Sequence, residues 1–364
     1  MTPSNNATPV SPPKNPAAIN AVTGIRVLQM MAGAEQGGAE LYFARLCAAL
    51  QLAGIVQLAI VRPQPERLTS LDAAGIPIIA APFAGWFDFT TKRIVKRAIA
   101  SFKPQIVMSY MTRATQYVPR GKFVHIARLG GYYDLRHYRH CDHLVGNTPD
   151  LVEYFLRGGW LRERAHFIPN FVDTRRSPAA DRARYATPKD APLVLALGRF
   201  HHNKAFDVLI EAMAGLPGIF LWLAGDGPGR ANLEAETQRL ELLDRVRFLG
   251  WQKDPGPFFA AANVLAVPSR HEPLGNVILE AWAQGLPVVA AESQGPRFLI
   301  QDGKNGVLVP VEDAEALAMA LQRVLGDRPL SARLIEGGSS ALAAHFSQAA
   351  VVAQYLSLFS RVLG

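Results

Sequence analysis

Apolar residues in this chain fall into short runs bounded by proline, glycine or polar turns, and between those runs they recur at helical spacing. From Gly24 the runs IRVLQMM, VQLAIVRP, IPIIAAPF, QIVMSY and KFVHIARL have strand length, and stretches such as LYFARLCAALQLAG between them read as helices. HLVGNTPDLVEYFLRGGW adds a strand, a turn capped near Thr148 and another helix. PLVLALGRFHHNKAFDVLIEAM then restarts the order of strand, loop and helix, and GIFLWLAGDGPGRANLE and VRFLGWQKD continue it. This alternation predicts an α/β protein built on parallel sheets with helices on both faces. The expected divisions are a disordered Pro/Ser/Asn/Ala-rich tail over 1–21, a first domain over 22–173 and a charged, proline-containing linker over 174–190. A second domain over 191–346 and an apolar helix over 347–364, crossing back to the first domain, complete them.

The densest stretch is SRHEPLGNVILEAWAQGLPVV, from Ser269 to Val289. A preceding apolar run ends at Pro268. Val277, Ile278, Ala281 and Trp282 then recur at helical spacing, with Asn276 as a cap, Gly285 as the stop and Pro287 beyond it. The start of that helix carries orphan N–H groups and the positive end of its dipole, so Pro273, Leu274, Gly275 and Asn276 form a ready site for a phosphate. Gly275 allows close backbone approach. Glu272 and Glu280, eight positions apart, are able to face one crevice; the spacing alone equally fits a solvated surface.

Other loops carry candidate chemistry. Arg199 and Lys204, five residues apart after a strand, are placed either to hold a pyrophosphate from two sides or to sit on an ordinary surface. Gly37–Gly38 opens the first helix and fits an anion or sugar contact as well as a tight turn. Gly225 lies in a glycine turn after a strand, which taken alone reads as a simple start to a helix. The backbone near Trp251 could read a base edge, or the tryptophan could be structural. The histidines His125, His137, His140 and His143 do not match a usual zinc spacing, so no metal site is expected.

Composition adds bounds. Of 364 residues, 49% are hydrophobic and 19% charged, which describes a globular chain long enough for two cores and excludes disorder throughout. The two cysteines, Cys47 and Cys141, read as free thiols in a reducing compartment. No apolar run reaches the roughly 18 to 20 residues of a membrane span, and no signal peptide is evident, so a cytoplasmic location is expected. A net charge of +8 fits an anionic partner, or serves solubility alone. Lys92, Arg93, Lys96, Arg97 and Lys103 lie on one face of an amphipathic helix, which suits either an anionic membrane surface or a solvated side. No nucleic-acid-binding module is recognisable, so nucleic acid is not expected as a partner.

SRHEPLGNVILEAWAQGLPVVA resembles the E-x7-E signature of the retaining, nucleotide-sugar-dependent glycosyltransferases of family 4. That resemblance implies the GT-B fold, two Rossmann-like doubly wound domains facing a central cleft, with Glu272 by the donor sugar and Glu280 on the nucleotide ribose. GGAE at Gly37–Glu40 is similar to the family's G-G-x-E element, and the loop with Arg199 and Lys204 is similar to its diphosphate-binding G-R-x4-K-G element, with Ala205 in place of the glycine. Gly225-Asp226-Gly227-Pro228 resembles the G-x-G-P turn beside the nucleotide; Asn170, Val172 and Asp173 resemble a hinge element, and Asp302–Val309 is also family-like. Where the family often has a sugar-contacting histidine this chain has Arg128-Leu-Gly-Gly, which makes Arg128 the substitute.

The resemblance implies a retaining transfer of a hexose from a nucleotide-diphosphate sugar to a glycan or lipid-linked acceptor. No D-x-D spacing is present, so the expected chemistry is metal-independent, with no cofactor. The basic helix and an alanine-rich, bacterial-looking composition favour lipopolysaccharide or another cell-envelope glycan, with peripheral attachment to the inner face of the membrane. A nucleotide-sugar epimerase of the same fold and a non-catalytic nucleotide-sugar-binding protein are the alternatives.

Overall fold

The computed structural model describes residues 24–364 apart from Glu35, Gln36 and Trp86, so the tail expected over 1–21 lies outside it. The chain divides into two compact units. In the first, β1 (Arg26–Met31), β2 (Val56–Val61), β3 (Ile78–Ala80), β4 (Ile106–Tyr110), β5 (Val124–Leu129), β6 (His143–Gly146) and β7 (Ala165–Phe167) form a parallel sheet in the order β3-β2-β1-β4-β5-β6-β7. In the second, β8 (Leu193–Leu197), β9 (Phe220–Ala224), β10 (Val246–Gly250), β11 (Val264–Val267), β12 (Val288–Ala291) and β13 (Val307–Val309) are parallel in the order β10-β9-β8-β11-β12-β13. Both are doubly wound Rossmann-like sheets.

The strand sequences explain this. Every residue of β4, β11 and β12 is buried, as a parallel strand covered on both faces requires. Successive side chains of β8 enter different cores. Val194 and Ala196 join Leu209, Met213, Leu321 and Leu334 on one face; Leu193 and Leu195 join Trp222, Ile278 and Trp282 on the other. Strand order reverses beside β1 in the first sheet and beside β8 in the second, so the loops after β8 and β11 diverge to opposite faces and leave a crevice at their carboxyl ends.

The first unit comprises residues through Gly146, Leu151–Ile168 and Gln348–Gly364; the second holds Asn147–Asp150 and Pro169–Ser347. The final helix, Gln348–Leu363, therefore belongs to the first unit. The stretch expected as a linker over 174–190 is instead packed on the second unit. Tyr185 lies edge-on to Trp222 at 5.0 Å and Phe258 at 5.7 Å, Trp222 Nε1 donates to Thr187 Oγ1 at 2.9 Å, and the Arg182 guanidinium donates to the Ala261 and Ala191 carbonyls. Its charges and prolines conceal one aromatic anchor and one arginine that serves as a bracket. Val172, assigned by sequence to the first domain, is buried in the core of the second.

Candidate active site

The loop after β8 and the loop after β11 flank the reversal point of the second sheet, and both expected charge sets lie there. Lys204 ends a short 3-10 turn, His202–Lys204, and its Nζ donates to Glu272 Oε2, with side chains 24% and 10% exposed. Ser269 Oγ also lies 3.4 Å from Glu272 Oε2, and the Glu272 carbonyl accepts from Gly295 N at 2.7 Å. Backbone joins the loops too, His271 N donating to the Asn203 carbonyl at 3.2 Å. Arg199 is exposed in the same loop as Lys204. Two cations and a carboxylate held at helix-bearing loops are suited to gripping a phosphorylated sugar.

Ala205 explains why its position favours glycine: φ is 51° and ψ 37°, a left-handed turn that lets the chain enter the helix Phe206–Ala214 immediately after Lys204. Gly225 is required for a different reason. A Cβ there would lie 1.9 Å from the Gly198 carbonyl oxygen, and one on Gly227 would lie 2.6 Å from that of Phe200. Phe200 N in turn donates to the Asp226 carbonyl at 2.9 Å. The glycine turn after β9 is thus the surface against which the cation-bearing loop is packed.

The helix Asn276–Gln284 starts one residue away from expectation. Gly275, at φ 91°, is the N-cap, and Asn276 is the first helical residue, its Oδ1 accepting from Asn170 Nδ2 at 2.7 Å. No side chain caps this end, which leaves its dipole and first N–H groups facing the loop. Pro273 is half-buried and Leu274 buried, fixing the approach. Glu280, half-buried, is about one turn into the helix. Trp282 anchors the opposite side, its Nε1 donating to the Asn305 carbonyl at 2.9 Å. The Asp302–Val309 pattern is accordingly a buttress for this helix. Trp251, 47% exposed just past β10, presents its ring to solvent.

Gly37, Gly38 and Arg128 belong to the first unit. A Cβ on Gly33 or Gly37 would fall 2.3 Å from a carboxylate oxygen of Glu40, which accepts from Ala34 N at 2.8 Å. The glycines therefore let the acidic residue of GGAE fold back over its own loop, and Arg67 holds the same loop from behind by donating to the Ala34 carbonyl at 2.6 Å. Neither Gly33 nor Arg67 stood out in the sequence.

Arg128 corrects an expectation. It is 4% exposed, its Nε donates to Tyr355 Oη at 2.8 Å, and its guanidinium stacks 4.1 Å from the centre of the Tyr42 ring. A side chain so enclosed docks the final helix of the chain and is not presented to a sugar. The histidine patch also differs from the sequence reading: ligand atoms of His125, His140 and Cys141 lie within 4.8 Å of one another. Hydrogen bonds account for these rings, His125 Nε2 pairing with Ser109 Oγ at 2.8 Å and His140 Nε2 with the Thr115 carbonyl at 3.1 Å.

Comparison with known proteins agrees with this fold. The family pattern of the Glycosyl transferases group 1 matches residues 178–340. The chain is 42% identical over 334 residues to the lipopolysaccharide core biosynthesis glycosyltransferase LpsE of Rhizobium meliloti, a match spanning 90% of this chain and 96% of that protein. It is 37% identical over 341 residues to LpsD of the same organism, spanning 93% and 98%. Among solved structures, Anabaena HepE in complex with UDP and glucose superposes with a TM-score of 0.81 at 21% identity, covering 93% of this chain and all of that one. The chain belongs to the group 1 glycosyl transferases. It is a glycosyltransferase of the GT-B fold, which sets aside the epimerase and non-catalytic alternatives. Among the described residues, no helix is long and apolar enough to cross a membrane.

Proposed function

We propose that this glycosyltransferase acts in lipopolysaccharide core synthesis as a member of family 4, moving a hexose from a nucleoside diphosphate sugar to a glycan acceptor with retention of configuration. The observation that carries the donor-site reading is the pairing of Lys204 with Glu272, with Arg199 exposed in the loop of Lys204, where the strand order of the second sheet reverses. The acceptor class rests on the two lipopolysaccharide core relatives, and UDP as donor nucleotide on the contents of the HepE structure.

In this reading Arg199, Lys204 and the amino end of the helix Asn276–Gln284 meet the charge that develops on the diphosphate as the bond from the sugar's anomeric carbon to phosphate oxygen breaks. Glu272 accepts from a donor-sugar hydroxyl and Glu280 from the ribose diol. The acceptor oxygen attacks from the face the diphosphate leaves, and its proton passes to the departing phosphate oxygen, so no enzyme nucleophile takes part. Protein cations answer the diphosphate charge in this scheme without a metal ion.

The test incubates the full chain with UDP-, GDP- and ADP-hexoses and truncated lipopolysaccharide, following nucleoside diphosphate release and the anomeric signal of the product by NMR. Acceptor-dependent release with unchanged anomeric configuration is expected. An inverted product, or release that ignores the acceptor, would refute the proposal.

A further inference from the structure

We infer that Arg270 is a positioning residue for donor binding, fastening the loop that carries Lys204 to the loop that carries Glu272. The inference rests on the reading above, in which Lys204 holds the donor diphosphate. Arg270 stands two residues before Glu272, and its side chain is 13% exposed. All five of its N–H donors are engaged. Nη1 donates to the His202 carbonyl and to Asp207 Oδ1, each at 2.8 Å; Nη2 donates to Asp207 Oδ2 at 2.6 Å and Glu312 Oε2 at 3.1 Å; and Nε donates to Glu312 Oε1. His202 opens the 3-10 turn that ends at Lys204, and Asp207 lies in the first turn of the helix that follows. One planar group therefore meets the turn before Lys204, the helix after it and Glu312 beyond β13.

The carboxylates answer to this fork. The Arg270 hydrogen bonds are the main cause holding Glu312 below the usual carboxylate range. In Asp207 burial pushes upward, but the Arg270 hydrogen bonds and charge, with backbone N–H groups, outweigh it. A lysine at 270 keeps the charge but brings three donors on one nitrogen, which cannot span two carboxylates and a carbonyl in a plane. With the fork gone, the loops of Lys204 and Glu272 keep their ion pair and the His271–Asn203 backbone bond, but lose the bracing from the turn at His202, the helix Phe206–Ala214 and Glu312.

The experiment measures binding of UDP, GDP and ADP to the full chain by calorimetry, and takes the nucleotide that binds through Arg270→Lys, Lys204→Met and their double variant, with melting temperatures recorded throughout. Arg270→Lys is expected to melt within a few degrees of the parent and to weaken binding by about tenfold, the scale of one charge-assisted hydrogen bond. Lys204→Met should do the same, and the double variant should be little worse than either alone, because Arg270 acts through Lys204. Asp207→Asn, which blunts the fork while leaving the arginine in place, should show a smaller loss with the same non-additivity. Unchanged affinity in Arg270→Lys, or losses that add fully, would overturn the inference while leaving the donor site intact. Unchanged affinity in Lys204→Met, or no binding of any of the three nucleotides, would overturn the donor-site reading and the inference with it.

Discussion

Lys204 Nζ donates to Glu272 Oε2 across 68 positions of sequence, joining the two loops at the reversal of the second sheet by a largely enclosed ion pair. Breaking a pair of this kind from one side strands a charge that water reaches poorly. Lys204→Met and Glu272→Gln are each expected to lower unfolding free energy by about 1–3 kcal/mol in urea titrations, with the double variant losing less than the sum. Glu272→Gln should slow transfer while binding the bare nucleoside diphosphate at least as tightly as the parent, since the phosphate no longer competes with the carboxylate for Lys204.

Gly225 and Gly250 both have positive φ, at 154° and 69°, but differ in surroundings. Alanine at 225 would drive a methyl into the Gly198 carbonyl, whereas alanine at 250 meets nothing within 4 Å. Gly225→Ala is expected to cost at least about 3 kcal/mol and to disturb nucleotide binding through the displaced Gly198–Phe200 segment. Gly250→Ala should cost about 1–2 kcal/mol, the strain of a left-handed residue alone. Thermal melts of the two variants check the contrast.

Tyr355 gives the Arg128 guanidinium one of its partners, and Arg128 is buried. Tyr355→Phe deletes one oxygen and leaves the Arg128 Nε–H without its acceptor. The expected loss is about 1–3 kcal/mol, seen as faster hydrogen exchange in the helix Gln348–Leu363, with nucleotide affinity unaltered.

His125 is pushed down to about 3 by burial and by the nearby His140, and His166 to about 4 by burial, His143 and Arg361. The folded chain thus prefers both rings neutral, while the unfolded chain takes up their protons near the ordinary 6.5. This stabilisation is present above 6.5 and is lost as pH falls from there toward about 3 to 4. Urea midpoints measured from about pH 7 down to pH 4.5 should decline, and His125→Gln should flatten part of that slope.

The helix Phe89–Phe102 exposes Lys92, Arg93, Lys96 and Arg97, and beside its start Phe87 and Phe89 are 84% and 68% exposed. Charge with protruding aromatics suits an anionic lipid surface. Cosedimentation with vesicles containing phosphatidylglycerol is expected, weakening with salt and in a Lys92→Glu, Lys96→Glu variant, and absent with phosphatidylcholine alone.

Much of this is legible in the sequence. The strand runs are mostly apolar, with exceptions such as Gln29, Gln57, His125 and Arg128, and the charged loops bearing Arg199, Lys204 and Glu272 follow strand-length runs, so local pattern locates both sheets and the charges between strand and helix. The linker misled because Tyr185 and Arg182 make their contacts with Trp222 and Ala261, tens of positions away. Arg128 misled for the same reason, its acceptor lying 227 positions on. Arg270 sat in the most informative stretch of the sequence, yet its role depends on Asp207 and Glu312, 63 and 42 positions distant, which no spacing rule joins. Gly225 stands out in the sequence as a glycine turn, and its close fit to Gly198 emerges only from the pairing of β8 with β9.

The first unit takes in Gln348–Gly364 after an excursion of nearly 180 residues through the second. During synthesis the second unit can close on itself as soon as its own strands have left the ribosome. The first, though begun earlier, waits with Arg128 lacking Tyr355 until the last helix emerges, so the half made first is finished last. A chain released after Ser347 should keep a protease-resistant second unit beside a more readily cleaved first one.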